Sequence, residues 1–203
     1  AHIAWSSDAA YYAKRLADLD QFEKSTGQPA YATISNVFPR STSTSEAFQI
    51  TSYSEFRSLY ENTLQNGEKL LDRVHHVKGR ILAKRSASNK LTFYTIGSDD
   101  GQQLQVMATH NMYKNPQSQQ DGTSIDEFTR MNELLKRGDI IAVKGIPGKT
   151  SKGEFSIIPH SLHLLAPCLH QLPHYKHETI EDEVCFLYRV IVLTTYCFFF
   201  FFF

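Results

Sequence analysis

The sequence predicts a mainly β chain: a five-stranded Greek-key barrel with a helix between its third and fourth strands, preceded by an N-terminal amphipathic helix. Three observations predict it. From about residue 71 the chain becomes a series of short runs rich in β-branched and aromatic residues, separated by Gly, Asn, Asp and Ser turns. Between the third and fourth of these runs the apolar spacing changes from two to the helical period. Far upstream, residues 8–24 carry apolar positions three apart with charges on the other side.

Taken in order, residues 8–24, "DAAYYAKRLADLDQFEK", place Leu16, Leu19 and Phe22 on one face beside Tyr12. Lys14, Arg15, Asp18 and Glu23 fall opposite, and Gly27 and Pro29 stop the helix. Residues 35–50 are rich in Ser and Thr, lack a sustained period and read as a linker. A short amphipathic helix at 54–62 and an Asn66-Gly67 turn follow. "RVHHVKGRILAK" is the first strand, "SASN" a turn, "KLTFYTI" the second strand, "GSDDGQ" a turn and "QLQVMATH" the third strand. A polar loop at 115–124 leads to a helix at 125–136, with Ile125, Phe128, Met131, Leu134 and Leu135 as its apolar positions and Gly138-Asp139 at its end. "IIAVKGI", the basic turn "PGKTSKGE" and "FSIIPHSLHLL" complete the set. Three strands, a helix and two strands is the order of the oligonucleotide/oligosaccharide-binding (OB) barrel. The expected division is residues 1–66 as N-terminal helix and linker, 67–170 as the barrel, and 171–203 as an apolar tail that is not a folded domain.

The 203 residues suffice for one ordinary domain with appendages, and 41% hydrophobic content supports one core. Zero net charge announces no general affinity for polyanions, although residues 68–170 hold 14 Lys and Arg against 10 Asp and Glu. Cys168, Cys185 and Cys197 lack CxxC spacing, which argues against a disulfide framework or a zinc site and suits a reducing cytosol. No charged region followed by an apolar run marks a secretory signal. The stretch 184–203 has the length of a membrane span, but it contains Arg189 and ends in a run of phenylalanines. Translation past a lost splice site or frame fits it better than a membrane anchor.

Alternation along strands sorts core from surface. In the second strand Tyr94 and Ile96 share one side, and Leu91, Phe93 and Thr95 the other. In the third, Leu104, Val106 and Ala108 point inward and Gln105 and Met107 outward. In the fifth, Phe155 and Ile157 point inward and Glu154 and Ser156 outward. Phe93, Gln105 and Glu154 therefore share an exposed patch with Arg85 at its edge, while a bulge leaves the first strand's parity open. A flat ring stacks on a base, Gln105 can donate and accept, Glu154 accepts from a base N–H, and Arg85 pairs with phosphate or stacks. Unstacked RNA bases are recognised by this mixture. Parity alone equally admits a core Phe93 with ordinary solvated neighbours. Lys84 beside Arg85, and Lys149 and Lys152 in the basic turn, are candidate phosphate contacts.

The strings "VKGRILAKR", "KLTFYTI" and "LQVMA", followed by "LKRGDIIAVKGIPGKTSKGEFSIIPHSLHLLAPCLHQLPH", resemble the anticodon-binding OB domain of the cytosolic class II lysyl-tRNA synthetases. "YYAKRLADLDQFEKSTGQPAY" is similar to the segment leading into that domain, so the resemblance spans roughly residues 8–174. It implies a cytoplasmic tRNA-binding protein. Phe93 would stack on the middle anticodon uridine, Gln105 and Glu154 would read its edge, and Arg85 would lie beside it. Lys14 and Arg15 are weaker candidates for holding tRNA. After "LPH" the family pattern stops, with no Arg-x-Glu motif of fitting spacing and no GxG. The expectation is a chain truncated before the catalytic domain, with no cofactor of its own; ATP and Mg would serve a full-length parent ligase, which would also form the homodimer. A sequence-indifferent single-strand binder and a dimerisation or scaffold fragment are the alternatives.

Two other signals carry less. "GIPGKT" has two residues between its glycines where a phosphate loop needs four, and it ends a strand rather than opening a helix. His160, His163, His170, His174 and His177 lack the spacing of a metal site.

Overall fold

The computed structural model describes residues 3–38, 50–113 and 124–172. Most of the expected linker, nearly all of the polar loop, and the tail beyond 172 with Cys185, Cys197, His174 and His177 lie outside the described residues. Five strands close a barrel: β1 (His75–Ser88), β2 (Leu91–Gly97), β3 (Gln103–Thr109), β4 (Ile140–Lys149) and β5 (Phe155–Ala166), in the order β1-β2-β3-β5-β4. Every neighbouring pair is antiparallel except β3 and β5. That parallel seam is short, with Gln105 opposite Ser156 and Val106 opposite Ile157. Helix α4 (Ser124–Leu134) falls between β3 and β4; α1 (Ile3–Thr26), α2 (Ile34–Val37) and α3 (Tyr53–Tyr60) precede the barrel. Among the described residues no helix is long and apolar enough to cross a membrane.

Alternation builds the core. Tyr94 and Ile96, Leu104, Val106 and Ala108, and Phe155 and Ile157 are all buried, on the parity the sequence predicts. Ser156 departs from it: expected outward and exposed, it is fully buried, and Gln105 donates to its Oγ across 3.0 Å. In β1 the phase changes partway. Ile81 pairs with Ile96 but Ala83 pairs with Thr95, so Leu82 is the extra residue of a bulge. Val77, Gly79 and Ile81 are buried before it; beyond it Lys84 lies opposite the inward Tyr94, and Arg85 opposite Phe93. Gly79 is where α3 approaches closely. A Cβ there would collide with the Tyr53 hydroxyl, which donates to the Lys78 carbonyl at 2.7 Å.

The helix before β4 packs Phe128, Met131 and Leu134, with Leu135 just after it, into the barrel core, as their spacing predicts. Tyr94 donates its hydroxyl to Asn132 Oδ1, and Lys84 donates to the carbonyls of Asn132 and Leu135, the latter at 3.0 Å. A cation on the last carbonyls of a helix answers both unpaired acceptors and the negative end of the dipole.

Helix α1 is rotated from the expected orientation. Leu19 and Phe22 are buried, but Tyr12 and Leu16 are 37% and 42% exposed, and Arg15, expected on the polar side, is 2% exposed. The reason is a polar anchor stronger than the apolar stripe. Arg15 donates from Nη2 to Asp139 Oδ2 at 2.6 Å and from Nη1 to the Leu134 carbonyl. Asp139 also accepts from the backbone N–H groups of Lys136 and Cys168, both at 2.7 Å. Burial pushes the Asp139 carboxyl up, against these donors. Leu19, Phe22, Tyr53 and Phe56 share one hydrophobic core with the strands, so α1 and α3 are packed onto the barrel.

A histidine pair lies outside that core. The Phe38 ring sits edge-on to His76 at 4.7 Å and to His163 at 5.2 Å, and His163 faces the Ser161 hydroxyl at 3.0 Å. Burial first, then the nearby Lys144 charge, holds both imidazoles down to about 4, against an ordinary value of 6.5. Between those values the unfolded chain binds protons that the folded chain refuses, so stability is present above pH 6.5 and falls as pH drops toward 4. At pH 4.5 the well-buried His163 is expected to cost about 2–3 kcal/mol, with the half-exposed His76 adding less. Urea midpoints at pH 7 and pH 4.5 measure it, and His163→Gln should shrink the difference; an unchanged pH slope in that variant would contradict the assignment.

Candidate nucleic-acid interface

The register of the first three strands sets out the patch. Arg85 lies opposite Phe93, and Phe93 opposite Met107, so β1, β2 and β3 each place one side chain in a row on the outer face. The Arg85 guanidinium carbon stands 5.2 Å from the centre of the Phe93 ring, a cation–π arrangement. Phe93 is half-buried and Arg85 exposed, and the ring is absent from the core cluster. One residue pair along, Thr95 lies opposite Gln105, and Gln105 meets Ser156 across the parallel seam.

Hydrogen bonds orient the polar pair. Gln105 Nε2 donates to Glu154 Oε2 at 3.2 Å and to Ser156 Oγ at 3.0 Å, which uses both amide protons. The amide oxygen and the carboxylate are left as adjacent acceptors. Glu154 is fixed by its turn: Thr150 N donates to the Glu154 carbonyl at 2.9 Å, and Glu154 N donates to Thr150 Oγ1 at 3.0 Å. The turn also needs Gly153, whose φ of 88° suits no side-chain-bearing residue well. A ring flanked by two acceptors and a guanidinium can hold a base that presents an N–H donor toward the acceptors.

The other basic candidates separate. The Lys84 ammonium is committed to the end of α4, and burial lowers its pKa to about 8. Lys149 donates to the carbonyls of Glu61 and Leu64 at 3.1 and 3.4 Å, which ties the β4 end to the segment after α3. Lys152 is exposed at the tip of the turn, and Lys14 is exposed on α1. Arg15 is sealed inside and unavailable to a ligand. The structure thus brings Arg85, Phe93, Gln105 and Glu154 together, places Lys152 at the rim, and gives Lys84 and Lys149 work within the fold. The phosphate-loop-like string runs through the end of β4, paired with β5, and is not a loop at all. Among the described residues no group of three His, Cys, Asp or Glu converges as a metal site would.

Sequence reasoning missed one wall of the site. An open cleft of about 280 Å³ is lined by Gln105 and Glu154 and also by Arg57 and Glu61, in and just after α3. Their spacing marks them only as a helical ion pair; where α3 packs is not written in its period.

Residues 76–165 match a family model described as an OB-fold nucleic acid binding domain. Over 144 residues the chain is 39% identical to a lysine–tRNA ligase of Cladosporium cladosporioides, covering 67% of this chain and 22% of that protein. It is 31% identical over 115 residues to a probable cytoplasmic lysine–tRNA ligase of Enterocytozoon bieneusi (strain H348), covering 57% of this chain and 20% of the relative. It is 30% identical over 142 residues to a chloroplastic/mitochondrial lysine–tRNA ligase of Arabidopsis thaliana, covering 69% and 21%. The chain thus spans about a fifth of the length of these relatives. The barrel order and the match agree: residues 76–165 are an OB-fold nucleic acid binding domain, similar in sequence to the corresponding part of lysine–tRNA ligases.

Proposed function

We propose that this chain binds the anticodon loop of lysine tRNA, with the middle uridine stacked on Phe93 beside Arg85 and its imino edge facing Gln105 and Glu154. The observation that carries the reading is the acceptor pair: Gln105 spends its amide protons on Glu154 and Ser156, so a base with an N–H donor completes the arrangement. Uracil offers that donor at N3. Cytosine places a lone pair there, opposite the acceptors, and should be repelled. Lys152 at the rim is placed to meet phosphate. ATP- and magnesium-dependent charging with lysine, a homodimer and a cytoplasmic setting are proposed for the parent ligase, following the relatives' printed names and the resemblance. This chain's own part in that is recognition.

The test compares a lysine anticodon stem-loop with the same loop carrying cytidine at the middle position, by fluorescence anisotropy at fixed salt. A loss of roughly tenfold or more is expected, from the cost of one mismatched base edge. Equal affinities would favour the sequence-indifferent binder, and no binding to either would favour the scaffold reading.

A further inference from the structure

The strand pair that carries the patch has two faces, and its inner face is tied to α4. Lys84 and Tyr94 are cross-strand partners. Both reach the same residue of the helix: Tyr94 donates its hydroxyl to Asn132 Oδ1, and Lys84 donates to the Asn132 carbonyl. Lys84 also donates to the Leu135 carbonyl at 3.0 Å, and its ammonium stands 5.8 Å from the centre of the Tyr94 ring. The next pair along, Arg85 and Phe93, points the other way, as alternation requires, and belongs to the outer patch.

The pairing of β1 supplies the second part. Its ladder with β4 runs only from His75 to Arg80. Ile81 then donates to the Asp139 carbonyl and accepts from the Gly138 N–H, both at 2.8 Å. From Ala83 to Ser88 the strand pairs with β2 alone among the described residues. The register shifts between Ile81 and Ala83 and again between Ser86 and Ser88. Arg85 thus sits on a short, one-sided stretch between two irregularities. Its side chain is exposed and rests on the Phe93 ring, with the guanidinium carbon 5.2 Å from the centre. A long arginine has many rotamers open to it on such a surface, so the placement of its backbone decides whether the guanidinium covers the ring. The fixed point nearest to that backbone is Lys84, one residue away. A charged donor on the last carbonyls of a helix is a strong tether, because hydrogen bonding and the dipole act together.

We infer that Lys84 is a positioning residue of the nucleic-acid interface: seated on the end of α4, its ammonium holds the one-sided half of β1 and so keeps Arg85 over Phe93. It touches no base and acts through its neighbour. The effect on RNA rests on the anticodon reading, whereas the placement of Arg85 is measurable without RNA.

The experiment uses the full chain, Lys84→Met, Lys84→Arg, Arg85→Ala and the double variant Lys84→Met with Arg85→Ala. Without RNA, NMR reads the Arg85 side-chain protons, which the ring current of Phe93 moves upfield in wild type. Lys84→Met should return them toward the position of a free arginine side chain. Lys84→Arg keeps a cationic donor and should hold them upfield. Lys84→Met should bind the lysine anticodon stem-loop roughly two- to tenfold more weakly, the size of one cation–π contact, with Lys84→Arg close to wild type. In the Arg85→Ala background the same Lys84→Met change should bring no further loss, the mark of two residues that act as one. Lys84→Gln, shorter and neutral, repeats each measurement if Lys84→Met does not fold.

Arg85 protons that stay upfield in Lys84→Met overturn the inference. So does a loss of affinity that is equal with and without Arg85, the sign of a solely structural tether. A wild type that binds no loop overturns the anticodon reading, and the NMR comparison then still decides whether Lys84 places Arg85.

Discussion

Replacing Arg15 with alanine is expected to destabilise the fold by about 3–5 kcal/mol, the cost of breaking a buried ion pair from one side. The side chain is 1% exposed and its partner Asp139 0%. Removing the guanidinium strands the carboxylate with two backbone donors, leaves the Leu134 carbonyl without this partner, and opens a void under α1. Because Asp139 joins the turn before β4 to the chain after β5, the loss should be felt as a lower urea midpoint for the whole unit. Exposed pairs serve as the control: Lys24 and Asp20 are 73% and 60% exposed, and Lys24→Ala should leave the midpoint unchanged. A double variant, Arg15→Met with Asp139→Asn, should recover part of the loss, since no unpaired charge then remains buried. An Arg15→Ala midpoint within error of wild type would refute the account.

Phe93→Ala should weaken binding of a lysine anticodon stem-loop roughly 10- to 100-fold, the range measured when a stacking ring is removed. The ring is half-buried on the outer face and outside the core cluster, so the loss should come with little change in unfolding midpoint. Phe93→Tyr keeps the π face and should bind within a few-fold of wild type. Arg85 loses its ring partner in the alanine variant, so part of the effect is looser placement of the guanidinium. The combination to look for is lost affinity with retained stability. Unchanged affinity would remove the stacked base from the proposal.

Much of the barrel was legible because alternation is a local rule. Tyr94 against Phe93, and Leu104 against Gln105, can be sorted from a few residues, and the turn glycines mark where each strand ends. What could not be read depends on contacts far apart in sequence. The Leu82 bulge reverses the inward phase of β1, which turned Lys84 from an apparent surface cation into a helix cap. Lys149 looked like part of a basic turn, but its partners lie in the segment after α3. Arg15 sat on the charged side of a helical wheel, and its burial follows from an aspartate 124 positions later. Arg57 and Glu61 carried no signal beyond their spacing, because their neighbours are supplied by β3 and the β4–β5 turn. Alternation and the resemblance point to the same patch residues, and the hydrogen bonds of Gln105 leave its amide oxygen as an acceptor.

The barrel is clasped at β3 and β5 by two residue pairs, and Gln105 reaches from one side of that clasp to Glu154 and Ser156 on the other. Whatever engages Gln105 and Glu154 together also bridges the joint where the cylinder would part most easily. Ligand occupancy and the integrity of the hoop are therefore one coupled equilibrium, in which each tightens the other.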